Sequence, residues 1–349
     1  MENTLSDNKP EEAAAPVQPA ETVPTTTAAP AAPAIPAAPA APDAPARAHP
    51  LRGYLLAIIA GITWAGAGLI SKWMGLDAMV LTGARTLASA VLIGLGLLIF
   101  NRSLFKVDHS PRSLGFLLLY GIVGMAGTQY FYFVSIEANG AGLGTLLKYL
   151  APVFLLIVGA LFYHRRITAL AAVGAAVALI GQAFAVGAFS GSGLTLTRMG
   201  LIWGVACAVF FAIFTLLGDH GNGRVDSFSL LFYGMLIAAV FWLIIFGPAR
   251  IITPFLHVKP LLQLLLLASL STVVPFGAFL LSLRYIDPAR ASIAAMLEPV
   301  AAGIGGFFFF HEPLTFGLLF GGIISLGAIV IMRLSDIREA RHPKEGVSL

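Results

Sequence analysis

Residues 138–168, ANGAGLGTLLKYLAPVFLLIVGALFYHRRIT, align 147 positions later with residues 285–315, YIDPARASIAAMLEPVAAGIGGFFFFHEPLT. Eight of the thirty-one aligned positions are identical: Leu150/Leu297, Pro152/Pro299, Val153/Val300, Ile157/Ile304, Gly159/Gly306, Phe162/Phe309, His164/His311 and Thr168/Thr315. Apolar bias accounts for matches of Leu and Ile. It does not account for coincident Pro, Gly, His and Thr at an offset that also brings Gly53 onto Gly200. The chain is expected to be two copies of one unit.

What each unit is follows from composition. Of 349 residues, 58% are hydrophobic and only 11% charged, against about 25% charged in a soluble domain. So little charge leaves no solvated surface for a soluble globule of this size. A membrane crossing takes about 20 apolar residues. Ten such stretches are legible, at 53–73, 79–100, 113–134, 140–162, 167–187, 200–217, 227–247, 261–283, 289–310 and 314–332. The expected fold is an all-α membrane protein of ten transmembrane helices. Each unit holds five, an odd number, so the second unit enters from the opposite side: two inverted five-helix repeats. With the N terminus inside, the inner segments collect fourteen Lys and Arg and the outer ones four. The positive-inside rule then puts both termini in the cytoplasm, as expected of a multi-pass protein of the plasma (inner) membrane.

Residues 1–50 carry eleven of the 21 prolines and no bulky apolar run. They are read as a disordered cytoplasmic tail. The repeats follow at 51–188 and 198–333, and a short charged tail fills 334–349. The net charge of +4 is explained by the loop cations, and no basic, aromatic-bearing soluble face suggests nucleic acid as a partner. The single cysteine, Cys207, lies in an apolar run and reads as a packing residue. No metal or cofactor is implied.

With the repeat on the page, "GAGLGTLLKYLAPVFLLIVGALFYHRRIT" and "ASIAAMLEPVAAGIGGFFFFHEPLT" resemble the EamA-type branch of the drug/metabolite transporter superfamily. The likeness covers residues 53–333, and Glu298-Pro299 with the closing HEPLT is similar to that family's second-repeat pattern. It implies a secondary transporter, usually an exporter, of a small organic metabolite or drug, working by alternating access. A facilitative importer or uniporter is the neighbouring alternative. Where the family's first repeat usually ends its fourth span on an acidic residue, this chain has Arg165-Arg166. The small four-helix exporters of the superfamily carry an essential carboxylate in helix 1, where this chain has only Thr63 and Trp64. Proton coupling, if present, needs another group.

Polar residues inside the membrane are costly and usually face a cavity or a partner. Glu298 falls about 15 Å into its span, near mid-bilayer, and is the candidate substrate ligand or proton carrier. Lys148 falls about 12 Å into its own. It lies one turn from Ala151, the repeat mate of Glu298, so both charges are expected to line one central cavity, paired or hydrated. Pro152 and Pro299 each remove a helical hydrogen bond, freeing the carbonyls of Lys148 and Ala295. The aligned hydroxyls of Thr145 and Ser292 are expected to help satisfy the backbone there, and the prolines read equally as hinges or as static kinks. Arg85 either snorkels to the interface or lines the cavity. Gln129 and Tyr130, with Tyr132, and Trp64 offer amide and aromatic surface for an amphipathic solute. Tyr149 is weighed below these, because a helical step points it about 100° from Lys148.

Two other classes compete. A membrane enzyme needs a nucleophile–base pair or clustered metal ligands, whereas the seven histidines fall in the tail, loops or span ends. A non-transporting sensor has only the N-terminal tail in its favour. No Walker A motif occurs, so ATP is not hydrolysed in the P-loop manner.

Overall fold

The computed structural model describes residues 49–162, 167–189 and 197–341. Of the expected tails at 1–50 and 334–349, residues 1–48 and 342–349 lie outside the described residues, as do His164 and the pair Arg165-Arg166, whereas residues 334–341 are not a tail but continue the last helix, which runs to Arg341. Among the described residues, nine helices are long and apolar enough to cross a membrane. They are α1 (Pro50–Ser71), α2 (Met79–Phe100), α3 (Pro111–Gly140), α4 (Gly142–Phe162), α6 (Arg198–Asn222), α7 (Ser227–Phe246), α8 (Val258–Ser282), α9 (Pro288–Phe310) and α10 (Phe316–Arg338). The stretch expected to cross as the fifth span forms a shorter apolar helix, α5 (Ala169–Ala185). Its 17 residues span about 26 Å, at the lower limit for hydrocarbon about 30 Å thick.

Local chemistry sets the helix ends. Asp77 caps α2 through the backbone N–H groups of Met79 and Val80, and Asp287 caps α9 through Ala289. Thr168 caps α5 and Thr197 caps α6. Gly140, at φ 76°, turns the chain between α3 and α4 in a conformation that side chains with a Cβ avoid.

The packing follows a two-fold pattern. Helix α1 packs on α8 and α9, while its repeat mate α6 packs on α3 and α4. Helix α2 packs on α7, its own mate, and α5 packs on α10. The ends agree. A Cβ on Gly53 would press on Tyr285 and Ile286, and one on Gly200 would press on Asn139, the position aligned with Ile286. Helix α5 lies antiparallel along α10, with Thr168 against Ser335 at one end and Phe184 against Gly317 at the other. About one turn in from that second end, Gly181 and Gly321 bring the two backbones into contact, which any side chain there would prevent.

The interiors of the third helices also match. Helix α3 widens to π geometry over Tyr120–Gly127 and α8 over Ser269–Val273, which the 147-residue offset places inside the first. Such widening frees carbonyls from the regular ladder and is frequent at functional sites. Outward faces are apolar: Phe308 and Phe309 in α9, expected to face lipid, are 68% and 76% exposed.

Candidate functional site

Both fourth helices are interrupted at the repeat proline. Helix α4 is regular to Lys148, turns at Tyr149 and Leu150, and resumes at Ala151, just before Pro152. Helix α9 tightens to 3₁₀ geometry over Ala295–Leu297 and resumes at Glu298, just before Pro299. A proline cannot donate to the ladder, so each interruption leaves backbone carbonyls to be met from elsewhere. The Ala295 carbonyl accepts the Glu298 N–H and, at 3.4 Å, the Tyr149 hydroxyl. The expectation for Ser292 is corrected: its buried hydroxyl has no partner among the described residues. The 3₁₀ turn brings the Glu298 N–H to the Ala295 carbonyl, the bond that a regular helix would have left to a side chain. Helix α1 closes on this break through Gly61, where a Cβ would collide with the same carbonyl.

At the junction of these breaks, Lys148 Nζ donates to Glu298 Oε2 at 2.5 Å, with the two side chains 6% and 3% exposed. Tyr132 donates to Oε1 at 3.0 Å and Tyr149 to Oε2 at 2.8 Å. One carboxylate from the second repeat thus takes three donors from the first. Tyr149, weighed below the other aromatics, nonetheless meets the same carboxylate as Lys148. The 100° step holds only within a regular helix, and the chain leaves α4 at this residue, with ψ 6°. Four rings enclose the ammonium, their centroids at 4.7 Å for Tyr132, 4.8 Å for Tyr149, 5.6 Å for Trp64 and 5.7 Å for Phe211. Ring faces attract a cation most strongly when water is excluded. A lone charge in hydrocarbon would be expelled, and this one is held by a counter-charge and a ring of aromatics.

Arg85 does not snorkel. It is 2% exposed, and its Nε donates to Thr272 Oγ1 at 2.5 Å and Nη2 to the Ser271 carbonyl at 3.0 Å. Both acceptors belong to the π turn of α8, and Thr272 in turn donates to the Leu267 carbonyl. The widened turn therefore supplies the carbonyl that holds a buried guanidinium. The rings of Phe133 and Phe276 lie 5.3 and 5.9 Å from its Cζ.

Arg85, Lys148 and Glu298 line one cavity with Trp64, Gln129 and Tyr132. Ala67, Thr128, Phe211 and Phe276 complete its wall, none of them singled out by their positions in the sequence. The cavity measures about 20 Å³, room for about one water. The site in this structure is therefore too small for an organic solute. Gln129 reaches only Met235 Sδ, at 3.6 Å, and its carbonyl oxygen has no partner among the described residues. Trp64 stacks edge-on against Phe211 and Phe276. Tyr130 is not brought to the cavity. It packs on Trp242 and Phe246, because neighbours along a helix diverge by about 100° whereas Gln129 and Tyr132, three apart, share a face.

One polar residue at the break was not singled out in advance. Gln182 of α5 donates to the Met296 carbonyl at 2.5 Å and to Ser325 at 2.8 Å, tying α5 and α10 to the interrupted turn of α9. Its only signal was an amide alone in the apolar run ALIGQAFA.

Known proteins give the same architecture. Residues 51–187 and again 198–334 match the model of the EamA-like transporter family. An inner membrane transporter of Salmonella typhimurium named YicL, described as uncharacterized, is 22% identical over 83% of this chain and 98% of its own length. An Archaeoglobus fulgidus protein named as an uncharacterized transporter is 27% identical over 64% of this chain and 77% of its own. A solved crystal structure superposes with a TM-score of 0.67 at 18% identity, covering 82% of this chain and 98% of that one.

Proposed function

The chain belongs to the EamA-like transporter family, and from that premise we propose that it exports a small organic metabolite or drug by alternating access around the Lys148–Glu298 pair. The observation that carries this reading is the position of the pair. It joins the two repeats at the points where both fourth helices are interrupted. An ion pair across such a junction is a contact that a solute or a proton can open. A solute able to hydrogen-bond Lys148 or Glu298 replaces one partner, and a proton on Glu298 removes the counter-charge. The interrupted turns at Pro152 and Pro299 give each half a place to bend. The aromatic wall around Trp64 and Tyr132 suits an amphipathic body.

In this reading α5 is the tenth crossing. Its course along nearly the whole of α10 supports that, and ten crossings return both termini to the cytoplasmic side of the plasma membrane, in keeping with the Lys/Arg bias. Flux of candidate metabolites into proteoliposomes, chosen by comparing extracts of deletion and overexpression strains, tests transport. Proton antiport through Glu298 is tested by comparing Glu298→Gln with wild type under an imposed pH gradient. Unchanged gradient-driven flux in the variant would sink coupling through this residue, leaving facilitated movement.

A further inference from the structure

The cavity's charges do not balance. It holds two cations, Arg85 and Lys148, and one carboxylate, Glu298. That carboxylate already takes three donors: Oε1 accepts Tyr132, and Oε2 accepts both Lys148 and Tyr149. The guanidinium of Arg85 is met by a hydroxyl, a backbone carbonyl and two rings, all of them neutral. Its remaining nitrogen, Nη1, is buried with no hydrogen-bond partner among the described residues. A buried charged donor left unmet costs more than a neutral one, so its retention beside the cavity calls for a ligand.

We propose that Nη1 of Arg85 is the receptor for the acidic group of the transported solute, and that this solute is a singly charged organic anion, a carboxylate or sulfonate on an aromatic or apolar body. One such anion brings the cavity to neutrality. Two oxygens of a carboxylate or a sulfonate match the free edge of a guanidinium. Nε and Nη2 are already anchored on the π turn of α8, so that free edge is held in place before a solute arrives. Trp64 and Phe276, 5.2 Å apart and edge-on, lie on the same wall to take the body. The nearby carbonyl of Gln129, also unmet, accepts a donor from the solute if it has one. At about 20 Å³ the cavity admits no such molecule, so the solute reaches Arg85 only when the repeats part. The inference rests on the cavity being the transport site.

Equilibrium binding to the purified full-length protein in detergent tests it, with three probes that share one ring and differ in charge: benzenesulfonate, benzyl alcohol and benzyltrimethylammonium. Benzenesulfonate is expected to bind about tenfold more tightly than benzyl alcohol. The cation is expected to bind least, and chloride, an anion without a ring, to compete only weakly. Arg85→Gln should erase the preference for benzenesulfonate over benzyl alcohol, and Arg85→Lys should keep part of it. Equal or better binding of the neutral or cationic probe overturns the inference, as does an anion preference that survives Arg85→Gln. Should either variant fail to run as a single species in gel filtration, the ranking on the wild-type protein decides alone. Flux separates this from the transport reading. Arg85-dependent anion binding without flux of any probe keeps the anion site and overturns transport. Flux that favours the cation keeps transport and overturns the anion site.

Discussion

In the first repeat the fourth helix stops at Lys148 and resumes at Ala151; in the second it tightens over Ala295–Leu297 and resumes at Glu298. The third helices widen at matching places, and the pairings α1 on α8 and α6 on α3 repeat the same contact. The charges do not follow this symmetry. Arg85, Lys148 and Glu298 align with Phe232, Ala295 and Ala151. The same split appears where α1 begins. Asp336 accepts Tyr54 at 2.9 Å and pairs with Arg290 at 2.8 Å, while the aligned positions are Phe189, Leu201 and Leu143. Interruptions shared by both halves suit a motion that both must make. Charges held by one copy suit a solute that has no two-fold symmetry, and a lock at one end of the bundle only.

The largest effect is expected from breaking the central pair on one side. Lys148→Ala strands a buried carboxylate and should destabilise the protein by about 3–5 kcal/mol, read as a lowered thermal midpoint in detergent, and abolish flux. Lys148→Met combined with Glu298→Leu should recover most of that stability but no flux, separating the cost of an unpaired charge from the work of the pair. Equal stability of the single and double variants would break the comparison.

Next come the shared breaks. Pro152→Ala and Pro299→Ala each restore a donor to the ladder. If the interruptions bend during transport, both variants should lose flux by about tenfold, a barrier change of about 1.4 kcal/mol, with thermal stability unchanged or raised. Loss in only one of them would show that the repeats do not move alike.

The lock at the end of α1 is expected to act on a comparable scale. Asp336→Asn weakens its contacts with Tyr54, Arg290 and Arg333, and a hydrogen bond to a charged group is worth about 1.5–3 kcal/mol. The variant should raise the rate at which a water-soluble thiol reagent reaches buried Cys207 by about tenfold or more. An unchanged rate would exclude Asp336 as a closure. The smallest contrast lies within one turn: Tyr132→Phe should lower flux several-fold through the lost bond to Glu298, and Tyr130→Phe should leave it within error. Reporters fused to each terminus test the repeat itself. They should be active on the same side of the membrane, whereas opposite sides would mean that α5 does not cross.

Much of the fold was legible because a membrane helix must satisfy its own backbone and face lipid with apolar side chains, so its length and limits are written in the sequence. The nine long helices begin within about three residues of the expected stretches and end within about six. The shortfall is α5, whose packing on α10 rests on glycines that carry no length signal. Lys148 and Glu298 were legible as a pair because the repeat offset placed Lys148 one turn from Ala151, the mate of Glu298, and a charge in hydrocarbon demands a partner. Tyr149 and Gln182 were not. Tyr149 turns toward Glu298 only because the helix ends at it, and Gln182 meets a carbonyl that exists as an acceptor only because α9 is interrupted.

By itself, then, the sequence determined the membrane class, the two-copy organisation and which buried residues carry charge, since these depend on composition, period and offset. Tertiary structure alone decided that Arg85 turns inward with one nitrogen unmet, that Tyr130 faces away while Tyr132 and Tyr149 converge on Glu298, and that the cavity among them is limited to about one water's volume. Those outcomes depend on where a helix is broken and on which distant backbone group lies opposite the break. A linear pattern of residue types does not carry that information.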